Sequence, residues 1–225
     1  MNHQADLSYG KLGTKAETLK TLYHHIKRAK VLPQFTFTAG EWQSHSAGMI
    51  SKFQDLPWSS RVIVRSSALN EDTQTQSQAG KYESIADVSG EKAFRAAVER
   101  VIASYEDSDP GNQVLVQPML EQVAVCGVAF TLDPNTGGNY YVVNYDKTGS
   151  TSAVTSGNGK NDFLYYQFKK VTAESGLENR NDGCCPKEMQ MVTAALKELE
   201  DFFGQENLDV EFAITEGGEL YILQV

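Results

Sequence analysis

The sequence predicts an α+β fold in two unlike halves, and three observations carry that expectation. Helical spacing of apolar residues recurs through the first half. Alternating strand patterns dominate from about residue 113 onward. Long stretches rich in Gly, Ser, Thr and Gln interrupt both halves without any period, and such loops in compact domains are usually functional. The expected division is 1–112 as an N-terminal lobe and 113–225 as a strand-rich C-terminal lobe.

Each element follows from its own pattern. Leu12, Ala16, Leu19, Tyr23 and Ile26 predict a helix over 12–29. Pro33 closes that segment, and QFTFT reads as a short strand. A helix is expected over about 41–53 and a buried strand over 61–67, RVIVRSS, with Arg at both ends. The stretch 69–84 reads as a long polar loop. Residues 91–104 predict a helix with Phe94, Val98, Val101 and Ile102 inward. QVLVQPML, AVCGVAFTL and NYYVVNYD then read as strands, broken at Asn135-Thr136-Gly137-Gly138. A Gly/Ser/Thr-rich run, 147–162, precedes the strand FLYYQFKKV. A helix over 187–203 carries Val192, Leu196, Leu199 and Phe203 on one face. LDVEFAI and ELYILQV form a hairpin across Glu216-Gly217-Gly218. Two unlike lobes predict a ligand cleft between them.

Composition narrows the function. Of 225 residues, 40% are hydrophobic and 22% charged, ordinary for a soluble domain. A net charge of −9 repels nucleic acid, so no nucleic-acid partner is expected. The same field would repel a bare triphosphate unless local Arg, Lys or a divalent cation reverses it. No apolar run is long enough to cross a membrane, and the polar N-terminus lacks a signal-peptide run. The cytoplasm is the expected location. Three cysteines are too few for a disulfide framework, and Cys126, Cys184 and Cys185 read as reduced thiols. The four His, all within the first 45 residues, lack metal-ligand spacing. The sequence stops at Gln224-Val225 inside a strand pattern, so the chain is expected to be part of a longer protein.

Several residues could carry chemistry. Arg65 ends an apolar strand, where a guanidinium can fork onto phosphate oxygens, with Ser66 and Ser67 adding donors. A plain ion pair of Arg65 with Glu71 or Asp72 is the competing reading. The loop from Ser77 through Gly80 has small residues that admit a phosphate closely, although it is not a P-loop. Asp209 and Glu211 alternate onto one strand face, and Gln224 lies on the partner strand. Two carboxylates and an amide oxygen suit Mg²⁺, against the alternative of a solvated face. Lys15 begins the first helix, where its charge opposes the macrodipole unless an anion offsets it; an exposed Lys is equally simple.

Four segments together resemble the phosphoenolpyruvate synthase and pyruvate phosphate dikinase family. VIVRSSALNEDTQTQSQAGKYES is similar to its VRSSAxxED…SxAGxxxT pattern. CGVAFTLDPNTG resembles SGVxFTxDPxTG, and LDVEFAITEGGELYILQV resembles DIEWAxDxxGxLYxLQ. GTKAETL resembles GGKGANL. The ordered set spans nearly the whole chain. The resemblance implies an ATP-grasp-like, two-lobed nucleotide-binding fold that uses ATP and Mg²⁺. It implies that Lys15 and Arg65 contact the phosphates, with Ser66 and Ser67 beside them, and that the loop from Ser77 to Ser84, including Gly80, covers them. Gln117 and Met119 would border the adenine through backbone groups, and Thr131 and Asp133 would line the cleft. Asp209, Glu211 and Gln224 would stand on the metal side. The partner it implies is a phosphohistidine domain downstream, absent from this sequence. Departures exist: the family's Arg after the final Gln is missing, and TGSTSAVTSG follows Asn144-Tyr145-Asp146 where synthases carry a GxGE-type loop. That variant resembles the family's bacterial L-glutamine kinase branch, which is the alternative expectation. A nucleotide-binding module without transfer is a further alternative.

Overall fold

The computed structural model describes residues 10–69, 83–147, 163–169 and 185–225. The expectations placed on 70–82, including Ser77 and Gly80, on the 148–162 run and on Cys184 fall outside the described residues. Four helices and ten strands are described. In chain order they are α1 (Lys15–His25), β1 (Lys30–Val31), β2 (Phe35–Thr38), α2 (Ala39–Gln54), β3 (Val62–Ser67), β4 (Ser84–Val88), α3 (Gly90–Ala103) and β5 (Gln113–Pro118). Then follow β6 (Val123–Phe130), β7 (Tyr140–Asp146), β8 (Phe163–Phe168), α4 (Lys187–Phe203), β9 (Asp209–Thr215) and β10 (Leu220–Gln224). The chain forms two compact units. The first comprises Gly13–His24 and Val31–Val123, and the second takes the rest of the described chain.

In the first unit, β2, β5, β3 and β4 form an antiparallel sheet in that order. Alternation sends Val62 and Val64 of β3, and Val114 and Val116 of β5, to one face. There they join Phe37, Trp42, Phe53, Phe94, Val98 and Val101 in one core, so α2 and α3 cover that face. Phe53 and Phe94 stack with centroids 3.8 Å apart. Each ring so buried contributes roughly 1.5–3 kcal/mol. Helix α2 starts where Thr38 closes a capping box with Glu41, each side chain bonded to the other's backbone N–H. Helix α1 is shorter than the expected 12–29. Its buried stripe is Ala16, Thr18, Leu19 and Leu22, which leaves Leu12 outside the helix and Tyr23 turned to solvent.

In the second unit the sheet order is β1-β10-β9-β6-β7-β8. The apolar stripe of α4 buries Met189, Val192, Leu196, Leu199 and Phe203, and the helix ends at Gly204 in the left-handed region (φ 63°). Tyr141 of β7 donates to Glu200 of α4 at 2.6 Å, and Lys169 pairs with the same carboxylate in a nearly enclosed site. Gly127 on β6 is required by close approach: a Cβ there would meet the Asn144 carbonyl oxygen at 2.3 Å and the Phe212 ring at 3.0 Å. Burial and the nearby Asp146 push the Cys126 thiol up to about 11, so it is an inert core thiol. Among the described residues no helix is long and apolar enough to cross a membrane.

Candidate functional site

On β3 the residues between the core valines point to the opposite face. Ile63, Arg65 and Ser67 lie there, matched across β5 by Gln117, Leu115 and Gln113. Arg65 is half-buried, and Ser67 is fully buried. Ser66 turns to the other face, also buried, with its N–H on the Glu83 carbonyl at 3.2 Å.

The first turn of α1 is bound to this face. The Ala16 N–H donates to Ser67 Oγ at 3.0 Å, so the residue beside Lys15 is tied to a position two residues from Arg65. Thr14 caps the helix: its Oγ1 accepts from the Glu17 N–H at 3.3 Å, and its own N–H donates to Glu17 Oε2 at 3.1 Å. Thr14 Oγ1 also donates to Gln113 Oε1 at 2.8 Å, and Gln113 Nε2 donates to Glu17 Oε1 at 3.3 Å. The backbone turn that carries Lys15 is thus tied to the strand that carries Arg65, within one unit. The spacing Thr14-x-x-Glu17 is a capping-box signature, a local signal that could have found this pair. Gln113 had no local signal, because its partners lie about a hundred residues away.

Gln117 is 2% exposed, and its Nε2 has no hydrogen-bond partner among the described residues. A buried amide donor in that state calls for a ligand or water. The Met119 N–H is engaged by the Arg61 carbonyl at 3.0 Å.

The second unit displays the acidic residues. In the β9–β10 hairpin, Val210, Phe212 and Ile214 are buried, and Phe212 and Ile214 pair with Ile222 and Leu220. The other face carries Asp209, exposed, and Glu211, half-buried. Regular pairing after Ile222↔Phe212 would set Leu223 against Glu211. The register shifts instead, and Gln224 stands directly opposite Glu211. An extra residue of this kind re-aims a side chain and is common beside active sites. Two carboxylates and an amide oxygen form an all-oxygen set, which fits a hard divalent cation. Among the described residues no group of three or more His, Cys, Asp or Glu could hold a metal.

Thr131 and Asp133 make structural bonds. Thr131 is fully buried; its hydroxyl donates to the Glu206 carbonyl and accepts from the Leu208 N–H, both at 2.7 Å. That fastens the end of β6 to the start of β9. Asp133 accepts from Thr136 Oγ1 at 2.6 Å and from the Asn135 N–H at 3.0 Å, closing the turn before β7. The Thr136 hydroxyl first, then the Asn135 N–H, hold the Asp133 carboxyl below the usual range.

The family model described as "Pyruvate phosphate dikinase, AMP/ATP-binding domain" matches residues 16–225. The chain belongs to that family. A Bacillus subtilis (strain 168) protein, "Uncharacterized phosphotransferase YvkC", is 27% identical to this dikinase-family domain over 213 residues. The match covers 78% of this chain and 25% of the relative, so the chain spans a quarter of that relative's length. Among solved structures, the D-alanine-D-alanine ligase of Helicobacter pylori superposes with a TM-score of 0.52 at 15% identity, covering 97% of this chain and 53% of the ligase. The D-alanyl-alanine synthetase A of Vibrio cholerae O1 biovar eltor str. N16961 gives 0.50 at 15% identity, covering 93% and 53%. These likenesses show the fold alone: the dikinase-family domain is α+β and ATP-grasp-like.

Proposed function

We propose that this chain is the ATP-binding part of a phosphoenolpyruvate synthase-like phosphotransferase, which passes a phosphoryl group from ATP to a histidine on a separate domain of the same protein. The observation that carries the reading is the register shift in β10 that sets Gln224 against Glu211. Irregular pairing of this kind is over-represented beside active sites, where it re-aims a side chain. In this reading Arg65 forks onto phosphate oxygens and Lys15 adds a point charge beside them. Asp209, Glu211 and Gln224 hold a magnesium ion. When bound, that ion neutralises charge on the phosphates during transfer. Gln117 lies on the same face as Arg65, where its buried amide can bond the base. Thr131 and Asp133 act through the loops they fasten rather than by touching nucleotide.

The test is phosphotransfer from labelled ATP by the full-length protein. Arg65→Ala is expected to abolish transfer while the fold persists. Wild-type turnover by that variant would remove Arg65 from the site and the reading with it.

A further inference from the structure

We propose that Thr14, Glu17 and Gln113 form a bracket that positions Lys15 for nucleotide. The inference rests on the reading of Lys15 as a phosphate contact.

Lys15 occupies the first turn of a helix, where a cation is disfavoured by the helix dipole and by the unsatisfied N–H groups that end it. The bracket answers both problems. The Glu17 N–H is taken by Thr14 Oγ1 and the Ala16 N–H by Ser67 Oγ. The Glu17 carboxylate sits over the helix end, one oxygen on the Thr14 N–H and the other on Gln113 Nε2. Gly13 leaves the room for it: a Cβ at that position would lie 2.5 Å from Glu17 Oε2. Gln113 extends the cap into the sheet, since its Oε1 takes the Thr14 hydroxyl at 2.8 Å. Gln113 is paired with Ser67, so both anchors of the turn stand in one row of the sheet, two residues along β3 from Arg65. The turn that bears Lys15 is therefore fixed to the strand that bears Arg65 before any ligand arrives. Fixing both cations in advance lowers the ordering cost of binding.

The test is a double-mutant cycle on Mg-ATP affinity, measured by calorimetry on the full chain. Thr14→Val keeps the shape and removes the hydroxyl; it is expected to weaken binding about tenfold, whereas Thr14→Ser stays within about twofold. On a Lys15→Met background, Thr14→Val is expected to add little, because the hydroxyl acts through Lys15. Equal weakening in both backgrounds, or wild-type affinity in Thr14→Val, would overturn the bracket. Gln113→Leu breaks the same network from β5 and replaces Thr14→Val should that variant lose its fold. Wild-type affinity in Lys15→Met would instead overturn the phosphate reading of Lys15, and an absence of Mg-ATP binding in the wild type would overturn the proposed function itself.

Discussion

Asp133 and Asp209 both belong to family-like motifs of the second unit, yet their oxygens do different work. Asp133 is nearly enclosed, and its carboxylate already accepts from Thr136 and Asn135. Asp209 stands exposed at the start of β9, on the face that also carries Glu211 and, through the shifted register, Gln224. The first motif spends its polar atoms on holding a loop; the second presents them on a strand whose other face is anchored by Val210, Phe212 and Ile214. Motif membership alone therefore does not decide whether a residue meets a ligand. What separates the two is exposure: Asp133 is nearly enclosed within its turn, whereas Asp209 stands on an open strand face.

Breaking the structural side should cost stability. The largest effect is expected from Thr131→Val, which strands the buried Leu208 N–H, takes the donor from the part-buried Glu206 carbonyl and destabilises the chain by about 2 kcal/mol. Urea denaturation measures it through a lower midpoint at unchanged slope. Asp133→Asn is expected to act more weakly, and through pH. The folded carboxyl is held below its ordinary value of about 3.9, so its contribution is present above that value and lost as pH falls toward the folded value. Wild-type stability should fall on acidification through this range, and Asp133→Asn should fall less. Parallel pH profiles for the two proteins would show that Asp133 is not a structural carboxylate.

Much of the fold could be read in advance. The stripe Val192, Leu196, Leu199 and Phe203 marks α4 at its observed bounds, and RVIVRSS marks β3 to within one residue. Strand β4 was hidden because Ser84, Ala86 and Asp87 dilute its pattern, with Asp87 at a positive φ of 58° beside a bulge. Strand β1, two residues long, has no pattern to detect. At the site, residue types on one strand were legible: Arg65 with Ser67, Asp209 with Glu211. Relations between distant segments were not. Nothing local says that Gln113 reaches Thr14, that the Thr131 hydroxyl is taken by the 206–208 segment, or that a one-residue irregularity replaces Leu223 with Gln224 opposite Glu211. Those facts arise from pairing across the chain, and single-segment periodicity carries none of them.

The displayed side of the comparison is tested most directly by thermal denaturation of wild type and Glu211→Gln, with ATP alone and with Mg-ATP. At a hundred times its Kd a bound ligand stabilises the folded chain by about 2.7 kcal/mol. Mg-ATP is expected to raise the wild-type midpoint accordingly, and in Glu211→Gln magnesium should add nothing to the effect of ATP. Equal magnesium-dependent shifts in the two proteins, or none in the wild type, would contradict a nucleotide-metal site on the β9–β10 hairpin.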